Sequence, residues 1–370
     1  MMRAPILAAL VLAACGDAAS PGFSTGPGIT GVAASTSGSS TADTTSTGPA
    51  NDSAGSSGSS GSSGTGIVRD VGAETDFGPG QPPGCKGKVD LLFVISRHGT
   101  MVTEQEQLLA SFPDFIKTIE QKLEGFDVHI MTANPDAYWP GWTCENQACI
   151  GEKYWPHCGP NALDYQCGVF PEMTTACDEQ LGAGLIFNAG GYAANKLCDL
   201  YGGHRYIISG EPDMPGAFEC IAKVGASGLH KNLMGDAVIA ALSSASNGLN
   251  GPGGCNEGFL REDALLVIAL ITDNSDDSKS YAKQQYEAIV TAKKDPSAVV
   301  LLAVVPQPHK EGEPEIPGCT YDWEGLSAYH DLGSKFPYTV YGDTCAPSYA
   351  PFFDAAADKI GEACGSFIPQ

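Results

Sequence analysis

The sequence predicts an α/β domain built on a doubly wound, mostly parallel sheet with helices on both faces. Residues 89–95 and 264–272 are continuous apolar segments, as expected of strands that are buried on both faces. After the first of them, apolar residues recur at helical spacing from about Thr103 to Leu123. Strands and helices then alternate along the chain, which is the order found when parallel strands are joined by crossover helices.

Shorter patterns predict the remaining elements. Strands are expected at 126–132, 205–209, 298–305 and 338–341, and helices at 232–242, 280–293 and 352–364. Pro113 falls within the first helix, where a proline removes a backbone donor, so a kink is expected there.

The first 15 residues predict an exported lipoprotein. Arg3 precedes an apolar run, residues 6–14, that is too short to cross a bilayer. The run ends in LAAC, which resembles the lipobox of bacterial lipoproteins and implies acylation of Cys15. An ordinary signal peptide with an incidental cysteine is the alternative. The lipid would anchor the protein in the bacterial cell envelope, at the outer membrane, in the periplasm or at the cell surface.

Residues 16–84 are dominated by Ser, Gly, Thr, Ala and Pro. Such a segment buries too little apolar area to offset its ordering entropy, so a disordered tether is expected. A flexible chain of this length would hold the folded domain, residues 85–370, about 45 Å from the lipid.

The cysteines predict disulfides rather than a metal site. The chain has 13 cysteines, and an even number remains when Cys15 is set aside. An even count in an exported protein favours disulfides, and the sequence has no Cys-x-x-Cys pair of the kind that binds zinc.

An insertion at about 134–203 carries six of these cysteines and three of the four tryptophans: Trp139, Trp142 and Trp155. One interpretation is a disulfide-stabilised subdomain whose aromatic residues form a small core. The other is that the tryptophans contact a partner protein, because tryptophan is enriched at interface hot spots.

The net charge of −23 argues against a nucleic-acid partner, which would need a basic surface. It also disfavours electrostatic binding to anionic lipid headgroups. An acidic surface suits solubility or a cationic partner such as Ca²⁺.

Two segments resemble the von Willebrand factor A (VWFA) domain. The first is VDLLFVI, ending at Ile95, followed by Gly-Thr-Met and Glu-Gln; the second is FLREDALLVIALITD, ending at Asp273. The resemblance covers about residues 88–364 without the insertion. It implies a Rossmann-like fold and a non-catalytic protein-binding or adhesion function, with an extracellular or envelope protein as ligand. It also implies that the insertion lies on the ligand-binding edge of the sheet.

In VWFA domains a divalent cation is held by an Asp-x-Ser-x-Ser turn, a threonine from a later loop and an aspartate after the fourth strand. Here the turn reads Ser96-x-His98-x-Thr100, the loop at 224–235 has no threonine, and Asp273 matches the aspartate. Because the number of charged ligands largely sets cation affinity, the resemblance implies a degenerate site at Ser96, Thr100 and Asp273. Such a site would bind Mg²⁺ or Ca²⁺ weakly at most.

Asp273 has a second interpretation, in which it only ends the strand or caps the next helix. Together with Asp276 and Asp277 it forms an acidic run that either binds Ca²⁺ or is a solvated turn.

An alternative function starts from Arg97-His98-Gly99-Thr100, which resembles the nucleophile loop of histidine phosphatases. That resemblance implies that His98 accepts the phosphoryl group and that Arg97 holds its oxygens. His330-Asp331 resembles the second histidine motif of the acid phosphatase branch. The rest of the sequence lacks the arginine cluster such a pocket requires, so we favour the binding module. A structural envelope protein without a specific ligand is a third possibility.

VWFA-type domains bring their two ends together, so the resemblance predicts a disulfide between Cys85 and Cys364. It would contribute roughly 4–5 kcal/mol in the chain-entropy account of disulfides. A second pair, Cys220 with Cys255, is also predicted.

Overall fold

A six-stranded sheet with helices on both faces organises the folded part of the chain. The computed structural model describes residue 85 and residues 87–122, 125–150, 165–229, 231–246, 248–308 and 323–366. The strands are β1 (Lys88–Ile95), β2 (Asp127–Ala133), β3 (Phe187–Asn188), β4 (Lys196–Leu197), β5 (Ile207–Ile208), β6 (Leu265–Ile271), β7 (Val299–Val304) and β8 (Tyr338–Gly342). The helices are α1 (Val102–Lys122), α2 (Gly141–Thr143), α3 (Met214–Ala222), α4 (Met234–Leu242), α5 (Ala282–Lys293), α6 (Trp323–Gly333) and α7 (Ala350–Ser366).

The strand order in the main sheet is β5-β2-β1-β6-β7-β8, and β3 pairs with β4 in a separate two-stranded sheet. Neighbouring strands of the main sheet are parallel except β5, which runs antiparallel to β2. β2 lies on one side of β1 and β6 lies on the other. The direction in which strands are added to the sheet therefore reverses between β1 and β6. Ile95 pairs with Ile271, so the carboxyl ends of β1 and β6 lie side by side. Ligand sites of open α/β sheets occur at this kind of reversal.

β1 is apolar apart from Lys88 and Asp90, because both of its faces are covered. Leu91 and Phe93 pack on one face with residues of α1, α3 and α7. Leu92 and Val94 pack on the other with residues of α4, α5 and α6. These two layers confirm the predicted α/β class with a mostly parallel, helix-flanked sheet.

Each strand and helix predicted from the sequence is present, with bounds that differ by a few residues. The strand expected at 205–209 is reduced to the two-residue edge strand β5, and α1 continues through Pro113 to Lys122. The short helices α2, α3 and α6 were not predicted. For α3 the sequence carried a helix-start signal, an aspartate at position 213 followed by Pro215. In the structure Asp213 is the N-cap, accepting a hydrogen bond from the Gly216 N–H (3.1 Å), and Pro215 lies in the first turn.

Four disulfides lie within the described residues: Cys85–Cys364, Cys149–Cys167, Cys177–Cys255 and Cys198–Cys220. The predicted bond between the two ends of the domain is therefore present.

The predicted Cys220–Cys255 pair is wrong. Cys220 lies on α3 and packs in the layer that contains α1. Cys255 is followed by Asn256, whose side-chain amide donates to the Ala241 carbonyl (3.4 Å) of α4 in the opposite layer. The sheet thus separates the two cysteines, and each bonds to a cysteine of the insertion instead.

The insertion has its own small core. Trp139, Tyr165, Phe170 and Phe187 are buried against one another, and Trp139 lies 5.4 Å from Phe187 between ring centroids. This supports the interpretation in which the aromatic residues of the insertion stabilise a subdomain.

The predicted signal segment, Cys15 and the tether lie outside the described residues. Among the helices within the described ranges, none combines the length and the apolar character needed to cross a bilayer.

A buried charged cluster at the amino end of β1 links this strand to the segment that precedes β6. Asp90 is fully buried, and its carboxylate accepts hydrogen bonds from the Arg261 backbone N–H (2.8 Å) and from Arg261 Nε (2.8 Å). His129 of β2 places its Nδ1 3.8 Å from the same carboxylate. Burial raises the pKa of Asp90 from 3.8 to about 6 although the charge of Arg261 acts in the other direction.

This shift predicts a pH-dependent contribution to stability. The folded state binds more protons than the unfolded state between pH 3.8 and about 6, so the contribution of Asp90 is present below this window and is lost as the pH rises through it. Relative to an Asp90→Asn variant, the free energy of unfolding of the wild type should fall by at most about 3 kcal/mol from pH 4 to pH 7. Burial lowers the pKa of His129, but that effect is common to both proteins and largely cancels in the difference. Urea unfolding across this pH range measures it, and a difference that stays constant would contradict the prediction.

Candidate functional site

The turn after β1 begins the candidate site at the carboxyl edge of the sheet. The Ser96 N–H donates to the Ile271 carbonyl (2.9 Å), so the turn starts directly beside the end of β6. The His98 N–H then donates to Ser96 Oγ (3.2 Å), and the Met101 N–H donates to the His98 carbonyl (3.0 Å). Ser96 is buried, whereas Thr100 is exposed at the tip of the turn. This tight turn leads straight into α1.

The segment after β6 meets the tip of that turn. The Asn274 side-chain amide donates from Nδ2 to Thr100 Oγ1 (2.9 Å) and to Asp273 Oδ1 (2.5 Å). The Asp273 N–H lies 3.2 Å from Met101 Sδ. The structure therefore brings together Thr100 and Asp273, as the sequence predicted, and adds Asn274, which it did not predict.

The loop at 224–229 fills the space between the β1 turn and the insertion. Gln105 of α1 exchanges two hydrogen bonds with the backbone of Gly225 (2.6 and 3.0 Å). The Gly228 N–H donates to the Arg97 carbonyl (2.9 Å). On the insertion side, the Gly191 N–H donates to Ser227 Oγ (2.8 Å). Ser227 thus contacts the insertion instead of pointing to the β1–β6 junction.

Among the side chains that reach solvent on these joined segments are two on the β1 turn, one on the insertion and one on the 224–229 loop: His98, Thr100, Tyr192 and Leu229. We call this set the rim surface. Tyr192 is 38% exposed and Leu229 is 42% exposed. The Ala226 N–H donates to the Gly191 carbonyl (2.9 Å), which holds the segments carrying Tyr192 and Leu229 against each other. Tyr192 also has a φ of 65°, which few residues other than glycine adopt. The rim surface is therefore apolar at one end, polar at the other, and fixed by backbone contacts.

Arg97 does not share this exposure. Its side chain is 1% exposed, and Nη2 donates to Asn134 Oδ1 (2.9 Å) and to the Tyr138 carbonyl (2.5 Å). It also forms a buried ion pair with Asp136. His98, by contrast, is partly exposed, with Nδ1 2.9 Å from Thr100 Oγ1. Arg97 and His98 thus do not face one pocket, as a phosphate-binding loop would require.

His330, the second residue of the phosphatase hypothesis, lies elsewhere. It is on α6, and its ring stacks on Tyr341 of β8 with a centroid distance of 4.4 Å. β8 is three strand positions from β1, which corresponds to about 14 Å at the usual spacing of strands. The structure does not bring His98 and His330 together.

The acidic run after β6 binds backbone amides. Asp276 accepts from the N–H groups of Gly235 (3.2 Å) and Ser278 (3.1 Å), and Asp277 accepts from the Asn232 N–H (3.0 Å). Burial raises the pKa of Asp276. These contacts connect the loop after β6 to the start of α4, so the run is neither a simple solvated turn nor an arranged Ca²⁺ site. Across the described ranges, no group of three or more His, Cys, Asp or Glu side chains is placed to hold a metal.

Glu104 was missed by the sequence analysis. It lies in the first turn of α1 and is only 8% exposed, and its Oε2 has no hydrogen-bond partner in the described part of the chain. Burial raises the pKa of Glu104, and the nearby charge of Asp273 raises it further. Glutamate is rarely buried, so no sequence pattern indicated that Glu104 would be buried beside Asp273.

The tryptophans predicted to contact a partner have different environments. Trp139 is fully buried in the core of the insertion, so its assignment as a contact residue is wrong. Trp142 is partly exposed and donates from Nε1 to Glu179. Trp155 lies outside the described residues.

Comparison with known proteins gives little further information. No protein-family model matches the chain, and no curated protein matches it. Among solved structures, the chain is similar to proximal thread matrix protein 1 from the mussel byssus, with 9% identity and a TM-score of 0.35 over 77% of this chain and 49% of that one. The chain thus spans about half the length of that protein. A similarity of this size carries no argument about function.

Proposed function

We propose that this protein is a non-catalytic binding module of a bacterial envelope lipoprotein, with a VWFA-like domain that contacts a protein ligand through the rim surface. The observation that carries the proposal is the joining of four separate chain segments at the carboxyl ends of β1 and β6. Hydrogen bonds link the β1 turn to Asn274, the 224–229 loop to the β1 turn, and the insertion to that loop. A surface assembled in this way is fixed before a partner arrives, which reduces the entropy lost on binding.

The composition of the rim surface supports a protein ligand. Tyr192 and Leu229 provide apolar contact area, and His98 and Thr100 provide hydrogen-bonding groups beside it. Tyrosine is enriched among the residues that dominate interface energies. Because a backbone hydrogen bond holds the segment next to Tyr192, binding would need to order the tyrosine side chain but not its backbone.

Two features support the VWFA-like assignment. The turn containing Thr100 and the acid Asp273 follow neighbouring parallel strands and emerge at the same edge of the sheet. The insertion reaches this edge through Gly191, as the family resemblance implies. The phosphatase alternative gains no comparable support, because Arg97 is buried in an ion pair and His330 is three strands away.

The proposal places the anchor on Cys15, with residues 16–84 as the tether to the envelope. Phase separation of the full chain in detergent tests this part. A wild-type chain that enters the detergent phase, together with a Cys15→Ser chain that stays in the aqueous phase, is the expected result. Equal partitioning of both would contradict it.

The rim surface itself predicts a loss of binding in specific variants. Full-length protein carrying Tyr192→Ala with Leu229→Ser should capture its envelope ligand at least about ten-fold more weakly than the wild type, because hot-spot truncations commonly cost 2 kcal/mol or more. Quantitative cross-linking to envelope fractions, followed by titration of the captured protein, measures this change.

The matched control is Tyr201→Ala, which truncates a tyrosine that is 56% exposed next to the edge strand β5. It should leave binding unchanged. If the Tyr201 variant lost the ligand while the Tyr192 and Leu229 variant kept it, the binding surface would lie elsewhere and the proposal would fail.

A further inference from the structure

The VWFA resemblance implies a divalent cation at the junction of the β1 turn and β6, and the residues there can be tested for their fit to one. A cation would need free oxygen lone pairs. Ser96 Oγ accepts from the His98 N–H (3.2 Å), and Thr100 Oγ1 and Asp273 Oδ1 both accept from Asn274 Nδ2 (2.9 and 2.5 Å). One oxygen of each of these three side chains thus already faces an N–H donor, and Asp273 is the one carboxylate at the positions that match the VWFA set. The residues therefore do not fit a bound cation.

The identity of the bridging atom follows from its partners. A carboxylate oxygen of Asp273 only accepts hydrogen bonds, so the amide nitrogen of Asn274, not its oxygen, must face it. The amide nitrogen carries two hydrogens, and the structure gives it two acceptors, one on each side of the junction.

The backbone of Asn274 is held in place independently. Its N–H donates to Thr272 Oγ1 (3.0 Å), and its carbonyl accepts from the Tyr329 hydroxyl (3.2 Å) and from Asn232 Nδ2 (3.3 Å). These contacts position the side chain over the gap between Thr100 and Asp273 and leave it little freedom to turn away.

We infer that the side-chain amide of Asn274 takes the place of the cation as the bridge between the β1 turn and the end of β6. Its nitrogen lies within hydrogen-bonding distance of both oxygens, one on each side of the junction. The amide supplies partial positive charge and two directed bonds, at a junction whose matched positions hold one carboxylate fewer than the VWFA set. The rim surface is thereby held together permanently and does not depend on metal.

A double-mutant cycle tests the bridge. Asn274→Ala and Thr100→Val should each lower the melting temperature by a few degrees, and the combined variant should lower it by less than the sum, because both changes remove the same bond. The control pair is Asn274→Ala with Thr291→Val, since Thr291 Oγ1 donates to the Glu287 carbonyl (2.7 Å) on the exposed side of α5. This pair should be additive. Additivity of the Asn274 and Thr100 changes would overturn the inference.

A second measurement tests independence from metal. The melting temperature of the full chain in EDTA and in millimolar Mg²⁺, Mn²⁺ or Ca²⁺ should differ by no more than it does for an Asp273→Asn variant. A saturable rise in the wild type that is absent from Asp273→Asn would show a cation at the junction and overturn the inference. Both measurements follow unfolding, so they remain informative if the rim surface binds no partner.

Discussion

Replacing Cys85 and Cys364 with alanine should lower the free energy of unfolding by about 5 kcal/mol. The bond joins positions 279 residues apart, just before β1 and within α7, and both cysteines are fully buried. In the chain-entropy account, a crosslink stabilises the fold by restricting the unfolded chain, and the effect grows with the length of the closed loop. Equilibrium unfolding in guanidinium under non-reducing conditions, with the other disulfides intact, measures the loss.

The matched control removes a disulfide that closes a short loop. Cys149 and Cys167 are 18 residues apart, so Cys149→Ala with Cys167→Ala should cost about 3 kcal/mol in the same account. The order of the two losses is the critical observation. If removal of the short-loop bond cost as much as removal of the Cys85–Cys364 bond, restriction of the unfolded chain could not be the main way in which the Cys85–Cys364 bond stabilises the protein.

The central sheet was predictable from the sequence because its strands are buried on both faces. Segments that are wholly apolar, such as β6, or nearly so, such as β1, occur in few other contexts, and the alternation with helices favours parallel strands. The two-residue strands β3 and β4 have no such pattern, because contacts within the insertion form them. The disulfide partners of the cysteines in the insertion could likewise not be predicted from the sequence, because pairing depends on which face of the sheet each cysteine reaches.

The candidate site was predictable only in outline. Family resemblance located Thr100 and Asp273, and the parallel pairing of β1 with β6 brings them to one edge. The bridge by Asn274 spans 174 positions in sequence, and no local pattern marks it. The burial of Arg97 was also hidden, because its partners Asn134 and Asp136 come from the start of the insertion.

Arg97→Met should therefore destabilise the protein by about 3–5 kcal/mol, the usual cost of removing one partner of a buried ion pair. The change leaves the carboxylate of Asp136, which is 2% exposed, with the Leu229 N–H (2.9 Å) as a remaining donor. His98→Ala, one position along the chain, should change stability by no more than about 0.5 kcal/mol, because His98 is partly exposed. Urea unfolding of the two variants measures the contrast. Equal stabilities would contradict the burial of Arg97.

The double variant Arg97→Met with Asp136→Leu separates the value of the ion pair from the cost of an unpaired charge. Arg97 Nε and Nη1 have no hydrogen-bond partner among the described residues, so the pair itself should contribute little net stability. The double variant should consequently be more stable than Arg97→Met alone, since no buried carboxylate is left uncompensated. Arg97 also carries the carbonyl that receives the Gly228 N–H, so the ion pair aligns the β1 turn with the 224–229 loop. A double variant that recovers stability but binds the ligand of the rim surface more weakly would show that the pair is retained for the geometry of that surface.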